Sequence, residues 1–206
     1  MSGNSYDVLV HSEYMIERMI KEDLLQPVDK SLIPNLDNIN EGILGQSFDL
    51  SNNYWVPYFC GNVGILYDKT VVDEKDLEAG WSILRNTKYK NQIYMYDSER
   101  DSFMVALKAL GYSMNTTKER EINEAYQWLL EQREEMNPVY VGDESIDTMI
   151  SGVKAMAIMY SGDAAAVMSE NPNMGYYMPK EGTNVWFDGF VISKECKQTK
   201  LANEFI

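Results

Sequence analysis

Hydroxyl, aromatic and acidic side chains recur in this sequence where predicted strands end. The candidate ligand-binding residues are Ser12, Tyr14, Asp97, Ser98, Asp101, Tyr160, Trp186 and Asp188. In open α/β sheets, ligands bind beyond the carboxyl ends of the strands. Rings and carboxylates gathered there predict a site for a flexible organic cation.

Trp186 and Asp188 form the most specific combination in this set. They lie two residues apart on a chain predicted to be extended, so both side chains point to the same face. The indole ring can cover methylene groups while the carboxylate pairs with an ammonium group. A cation over a tryptophan ring contributes roughly 0.5–2 kcal/mol. A charge pair at about 4 Å is worth about 4 kcal/mol at an effective dielectric constant of about 20, before desolvation, so the carboxylates should supply most of the charge recognition.

Carboxylates also occupy the predicted start of a helix that follows a strand over residues 92–96. The helix macrodipole favours exposed acids there by less than about 1 kcal/mol, so simple capping by Asp97 or Ser98 remains an open alternative. An anion-binding protein would leave the amide groups of such a helix start free. The acids Asp97, Glu99 and Asp101 therefore fit a cationic ligand better than an anionic one.

Structural roles also remain open for three of the other candidates. Ser12 follows a strand predicted over residues 6–10 and has the residue type of a helix N-cap. Tyr14 and Tyr160 can each serve as packed aromatic residues. A surface turn with an incidental tryptophan explains Trp186 less well, because exposed tryptophan is uncommon.

Composition and motifs argue against several classes of protein. With 32 acidic and 18 basic residues, the formal net charge is −14, and nucleic-acid binding would need clustered lysine and arginine. An acidic field instead attracts cationic ligands. His11 is the single histidine, and Cys60 and Cys196 are far apart, so no metal site, disulfide scaffold or cofactor is expected. No P-loop, serine-hydrolase, zinc-protease or dinucleotide-binding motif is present, and no apolar run approaches the roughly 20 residues that span a bilayer.

Predicted strands and helices alternate along the chain, which indicates an α/β architecture with mainly parallel strand pairing. Two strands over residues 52–59 and 61–67 are expected to meet at a glycine turn or bulge. A short acidic helix or two is predicted over residues 73–84, a long helix over residues 117–136, and another helix from Asp143 to Ile150.

All of the candidate residues except Tyr160 lie in stretches that resemble the spermidine/putrescine-binding proteins, the polyamine receptors among the solute-binding proteins of ABC importers. These stretches cover residues 6–19, 56–61, 97–103, 107–116 and 179–188. The resemblance implies a periplasmic-binding-protein-like fold of type II, in which two α/β lobes close by hinge bending around a ligand. It divides the chain into a partial first lobe (residues 1–66), a second lobe (67–187) and a segment that returns to the first lobe (188–206).

The resemblance also implies roles for the candidate residues in the second lobe. Ser98 and Asp101 fall where the family places acidic ligands, and Tyr160 falls at a position often held by tryptophan. Ser98 replaces an acid found in some relatives, which puts one charge contact in question, and Asp97 beside it can compensate. Cys60, in the first lobe, stands where relatives often carry tryptophan.

Ser12 and Tyr14 match the family's contribution from the first lobe, and Trp186 with Asp188 matches its aromatic–acid pair. The implied protein is not an enzyme and uses no cofactor. Its implied partners are a polyamine and the membrane permease subunits of an ABC importer. Its implied location is extracytoplasmic, in the periplasm or on the outer face of the cell membrane, with a lipid anchor in the full-length protein.

The two ends of the sequence predict a truncated fragment. A strand begins near residue 6, and a helix predicted over residues 199–206 stops within its amphipathic pattern. Residues 1–6 show no basic or apolar region of a secretory signal. The family has a further strand–helix unit before this start and a further segment after this end. The isolated chain is therefore expected to bind ligand weakly or not at all, and it could pair with a neighbouring chain to fill its gaps.

Two other functions remain open. A receptor of the same fold could bind an anion or a metal–anion pair through Arg100, although Asp97, Glu99 and Asp101 surround that residue and argue against it. A hydrolase could use Asp97, Asp101 or Asp188 as acid and base, but no nucleophile motif or metal cluster supports this function.

Overall fold

The computed structural model describes residues 6–142 and 144–206, and the chain divides into two compact units. Unit 1 comprises the chain up to Cys60 together with Trp186–Ile206, and unit 2 comprises Gly61–Val185. The predicted divisions lie at nearby positions, after residues 66 and 187. Asp143, the predicted start of a helix, lies outside the described residues. Within the described ranges, no helix combines the length and apolar character needed to cross a bilayer.

Unit 1 is built on a small antiparallel arrangement of strands. Its elements are β1 (Val8–Ser12), α1 (Glu13–Lys21), β2 (Leu25–Gln26), the first part of β3 (Trp55–Asp68), all but the first residue of β8 (Val185–Ser193) and α6 (Thr199–Phe205). Both β1 and β2 pair antiparallel with β8. The apolar face of α1 packs on this sheet, where Ile16, Trp55 and Val191 are fully buried.

Unit 2 has a sheet that is covered on both faces. After the second part of β3, its elements are a 3-10 segment (Asp76–Arg85), β4 (Ile93–Tyr96), α2 (Glu99–Ala109), α3 (Glu119–Met136), β5 (Val139–Val141), α4 (Ser145–Ile150), β6 (Met156–Tyr160), α5 (Ser161–Glu170) and β7 (Met174–Tyr177). Successive residues of a strand point to opposite faces. In β4, Ile93 and Met95 belong to one buried cluster and Tyr94 to the other, which explains the unbroken apolar run of this strand.

The prediction of mainly parallel pairing is wrong. In unit 2, β4 pairs parallel with β5 and β6, whereas β3 pairs antiparallel with β6 and β7. The pairing in unit 1 is antiparallel throughout its described strand pairs. Helical crossovers keep paired strands parallel, and they connect β4 to β5 and β5 to β6. Strand β3 is not part of a strand–helix–strand crossover of this kind. The alternation of strands and helices along the sequence therefore did not predict that β3 pairs antiparallel with its neighbours.

Two predicted elements differ from those in the structure. The expected strands on either side of residue 61 form one continuous strand, β3, because Gly61 stays extended where the chain passes from unit 1 to unit 2. The acidic helix predicted over residues 73–84 is a 3-10 segment, Asp76–Arg85. Gly80 interrupts it with φ 61° and ψ −140°, a backbone conformation that an α-helix cannot contain.

Two glycines of unit 2 lie beneath tyrosine rings of a neighbouring strand. Strands β3 and β7 are paired so that Tyr67 lies opposite Gly175. A Cβ atom built on Gly175 would lie 2.7 Å from Cζ of Tyr67, and one built on Gly64 would lie 2.5 Å from Cζ of Tyr176. The hydroxyl of Tyr176 donates to Oδ1 of Asn62 at 2.9 Å, which holds that ring in place. Glycine is therefore required at both positions by the close approach of the rings.

We expect Gly64→Ala and Gly175→Ala to destabilise unit 2 by about 1–3 kcal/mol each, the usual cost of overpacking a well-packed site. The matched control is Gly162→Ala in α5, where nothing lies within 4 Å of an added Cβ atom. That control should be neutral or stabilising by up to about 1 kcal/mol, because alanine favours the helix. Urea unfolding of the full-length protein measures the three values. Equal stability of all three variants would contradict this account of the sheet.

Candidate functional site

Ser12 and Asp188 are brought together in unit 1 by strand register. The antiparallel pairing of β1 with β8 places Ser12 directly opposite Asp188. The Ser12 hydroxyl donates to Oδ1 of Asp188 at 2.6 Å. Ser12 is also the N-cap residue of α1 and has the extended backbone of a cap (φ −75°, ψ 154°), but its side chain makes no capping hydrogen bond. The carboxylate across the strand pair holds the hydroxyl instead, so the capping alternative does not describe this side chain.

The other two candidates of unit 1, Tyr14 and Trp186, lie close to this pair in the sequence. Trp186 and Asp188 alternate with Phe187 in β8, so they share a face of the strand as predicted. Trp186 is half-buried, whereas Tyr14, in the first turn of α1, is 43% exposed. Glu13 was not among the predicted site residues, yet its Oε2 accepts the backbone N–H of Phe187 at 3.1 Å. A second carboxylate group therefore lies against the same stretch of β8.

Tyr160 and Asp101 are brought together in unit 2. The Tyr160 hydroxyl, at the end of β6, donates to Oδ2 of Asp101 in the first turn of α2 at 2.8 Å. The residue Asp101 is only 4% exposed. A buried carboxylate needs compensation from hydrogen bonds or from a cation. The Tyr160 hydroxyl supplies one such hydrogen bond.

Tyr96 completes this group of unit 2, although it was not among the predicted site residues. Its hydroxyl oxygen accepts the backbone N–H of Tyr160 at 2.9 Å, and the two rings stack with centroids 4.6 Å apart. Burial raises the pKa of the Tyr96 hydroxyl far above its ordinary value, the hydrogen bond from the Tyr160 backbone partly offsets this rise, and the negative charges of Asp163 and Asp101 raise the pKa further. The hydroxyl is therefore neutral at physiological pH. The signal that could have identified Tyr96 is its position at the last residue of β4, which matches the position of Tyr160 in the parallel strand β6.

The remaining two candidates of unit 2 have different surroundings. The hydroxyl of Ser98, the N-cap of α2, accepts the backbone N–H of Asp101 at 3.3 Å. The capping alternative therefore describes Ser98, and this bond also holds the first turn that carries the Asp101 carboxylate. Asp97 is exposed, and its backbone N–H donates to the carbonyl of Val141 at 2.9 Å.

Each unit, taken by itself, presents a carboxylate that a hydroxyl group orients beside aromatic rings. Within residues 6–142 and 144–206, neither Asp101 nor Asp188 forms an ion pair with a lysine, arginine or histidine. The described residues contain no group of three or more histidine, cysteine, aspartate or glutamate side chains placed to hold a metal ion. The two groups are chemically suited to contact ammonium groups and the methylene chains attached to them.

Comparison with known proteins identifies the relatives of this chain. A profile of the bacterial extracellular solute-binding proteins matches residues 3–206. The spermidine/putrescine-binding periplasmic protein of Salmonella typhimurium is 31% identical over 205 residues, which cover 98% of this chain and 58% of that protein. The structure of the spermidine/putrescine ABC transporter substrate-binding protein of Streptococcus pneumoniae matches with a TM-score of 0.83 and 37% identity, covering 99% of this chain and 62% of that one. A lipoprotein structure from Treponema pallidum matches with a TM-score of 0.85 and 26% identity, covering 100% of this chain and 65% of that one.

The resemblance inferred from the sequence is confirmed by these matches, and so is the periplasmic-binding-protein fold. The expected extracytoplasmic location is confirmed at the level of the family, which is extracellular, and of its periplasmic relatives. The chain spans less than two thirds of the length of each of the relatives named above. The lobe boundaries, the lipid anchor and the eight site residues stay predictions. Because the match covers nearly every residue, the chain belongs to the bacterial extracellular solute-binding protein family.

Proposed function

We propose that this protein binds polyamines outside the cytoplasm and delivers them to the permease subunits of an ABC importer. The observation that carries the proposal is the repeated combination of one carboxylate, one hydroxyl donor and aromatic rings in each unit. In unit 1 the carboxylate is Asp188 with Ser12, and in unit 2 it is Asp101 with Tyr160. Relatives named for spermidine and putrescine binding support the same ligand class.

The carboxylates favour a ligand that carries positive charges. Asp101 is buried and has a hydrogen-bond donor but no ion-pair partner within the described residues. A buried acid in this state is stabilised when a cation reaches it, because charge-assisted hydrogen bonds are about twice as strong as neutral ones. The net charge of −14 also raises the local concentration of cations around the protein. An anion would be repelled by negative charge, both at long range and at the two carboxylates.

The aromatic residues favour a cation with an apolar chain over a metal ion. The stacked rings of Tyr96 and Tyr160 form a wall beside Asp101, and Trp186 shares a strand face with Asp188. Rings of this kind cover methylene groups and contribute roughly 0.5–2 kcal/mol when they face a cation. A small hydrated metal ion gains nothing from such walls, whereas an alkylammonium chain gains both contacts.

The proposal includes binding without catalysis and a lipid anchor in the full-length protein. The hydrolase alternative requires an acid and a base that act on one bond. Instead, each carboxylate is held by its own hydroxyl donor, which supports a binding role for both groups. A lipoprotein of Treponema pallidum among the structural relatives supports the anchor.

We expect Asp188→Asn and Asp101→Asn in the full-length protein each to weaken spermidine and putrescine binding by at least about tenfold. Loss of one charge-assisted contact costs roughly 1.5–3 kcal/mol, and each 1.4 kcal/mol is about a factor of ten in affinity. Isothermal titration calorimetry measures the dissociation constants. The matched control is Asp37→Asn, which changes an exposed acid of unit 1 and should leave binding unchanged.

The same calorimetry separates the competing functions. Sulfate should produce no binding heat in any of these proteins. Sulfate binding by the wild type would support the anion receptor instead, and polyamine binding that is unaffected by both aspartate variants would show that the site lies elsewhere.

We expect Tyr160→Phe to weaken polyamine binding by roughly five- to tenfold, because about 1 kcal/mol is lost when a neutral hydrogen bond that orients Asp101 is removed. Tyr160→Ala should weaken binding further, since it also removes the ring that stacks on Tyr96. Titration of both variants with putrescine separates the contribution of the Tyr160 hydroxyl to affinity from that of its ring. If both variants bound putrescine as tightly as the wild type does, a role for Tyr160 in polyamine binding would be contradicted.

A further inference from the structure

Helix α3 is apolar on two faces, and unit 2 buries only one of them. Ala125, Trp128 and Met136 pack into the core of unit 2. On the outer face lie Ile122, Tyr126 and Leu130, which are 36%, 48% and 40% exposed. We call these three residues the α3 stripe. Their spacing of four residues aligns them along the outer surface of the helix over about 12 Å.

A groove lies beside the α3 stripe, and most of the charged side chains that line it pair with side chains of the same chain. It has a volume of about 720 Å³, and Arg85 and Trp128 contribute to its lining. The guanidinium of Arg85 lies 5.7 Å from the Trp128 ring centroid and pairs with Glu131 at 2.8 Å and Glu135 at 2.9 Å. Arg120 and Glu124, which also line the groove, pair with each other at 3.2 Å, so Glu119 is the one charged lining residue outside the ion pairs of the described residues. The stripe is the part of this surface that gains most from a partner.

The charges that flank the stripe are arranged symmetrically about Tyr126. Glu119 lies seven residues before Tyr126 and Arg133 lies seven residues after it, so each is about 10 Å away along the helix axis. Seven residues are close to two helical turns, so both side chains start from the same face as Tyr126. Both residues are exposed, and the ion pairs of the described part of α3 do not include them.

We propose that the α3 stripe is a dimerisation surface that packs, antiparallel, against the same stripe of a second copy of the protein. A two-fold axis at Tyr126 places Tyr126 against Tyr126 of the second copy. It also places Ile122 against Leu130 of that copy, and Glu119 against its Arg133. Each contact occurs twice, as an isologous interface requires. The two charges on the face of the stripe, Glu119 and Arg133, therefore have opposite signs at equal distances from Tyr126, which gives this face complementarity to a second copy of itself.

This order of charges selects a second copy over other occupants. A parallel arrangement would bring Glu119 against Glu119 and Arg133 against Arg133, and this like-charge repulsion excludes it. A basic amphipathic segment would pair with Glu119 but would meet Arg133 at the other end of the stripe.

The expected dimer is weak. A single pair of helices buries less than the roughly 1,200–2,000 Å² of stable complexes, so the interface belongs with transient ones. Two copies with net charges of −14 also repel each other at long range, and salt screens this repulsion beyond about 10 Å at an ionic strength of about 0.1 M. Association should therefore be measured at physiological ionic strength and over a concentration series that reaches the millimolar range.

Sedimentation velocity tests the proposal. It is measured on the full-length wild-type protein and on two separate variants, Glu119→Arg and Arg133→Glu. Each single variant places like charges opposite each other at both ends of its own dimer and should weaken self-association by about tenfold or more. An equimolar mixture of the two variants restores opposite charges at both ends and should dimerise as the wild type does. Tyr126→Glu should also abolish the dimer, whereas Gln127→Glu, about 100° further round the helix, should not.

A wild-type protein that stays monomeric throughout the concentration series would overturn the proposal. So would a dimer that both charge variants leave intact, or a mixture of the two variants that fails to associate. Circular dichroism and polyamine titration of the variants show that they are folded. The substitutions lie on an exposed helix face and change no residue of the candidate site, so both measurements should match the wild type.

Discussion

A carboxylate removed from water without a cation of its own is costly, and Asp101 of unit 2 is such a group, whereas Asp188 of unit 1 is part-buried. Asp101 keeps its place because the first turn of α2 and the Tyr160 hydroxyl hold it. Asp188 keeps its place because Ser12 faces it across a strand pair. In both cases a hydroxyl donor orients the carboxylate, and the proposed function assigns the carboxylate charge to a ligand cation. A binding protein must do this if its free state is to be stable and its bound state more stable still.

Strand geometry determines which side chains can serve these carboxylates. Parallel pairing of β4 and β6 brings the last residues of both strands to the same edge of the sheet, where the rings of Tyr96 and Tyr160 stack. The hydrogen bond from the Tyr160 backbone to the Tyr96 hydroxyl links the two strand ends directly. A ring held by both stacking and a backbone hydrogen bond has little rotamer freedom to lose when a ligand arrives. Such preorganisation lowers the entropic cost of binding.

Helix α3 shows that one segment can serve the core of a unit and a surface contact at once. Its buried residues contribute to the core that covers one face of the sheet, which fixes the direction in which the α3 stripe points. The stripe is short and its flanking charges are few, so it suits a reversible contact rather than a permanent one. Reversibility is compatible with a protein that must also bind and release its ligand.

The sequence by itself determined the properties that depend on neighbouring residues. The end of α3 at Met136 follows from Asn137 in the left-handed conformation and Pro138 after it, and the end of α2 follows from Gly111 with φ 78°. The family was also predicted correctly, because short stretches of matching residues occur at intervals from residue 6 to residue 188. Candidate site residues were found wherever polar groups follow an apolar run, since a strand end is itself a local signal.

Only the tertiary structure decided which of these residues meet. Ser12 and Asp188 are 176 positions apart, and their hydrogen bond exists because of strand register, which no local pattern contains. For the same reason the direction of β3 and the role of Tyr96 were not predicted. Ser98 shows the opposite case, because capping and ligand binding predict the same residue type at a helix start. The structure shows the capping hydrogen bond from the Asp101 amide, and ligand binding by Ser98 stays a prediction. Local propensities act over a few residues, whereas a binding group is made by contacts between segments that the fold brings together.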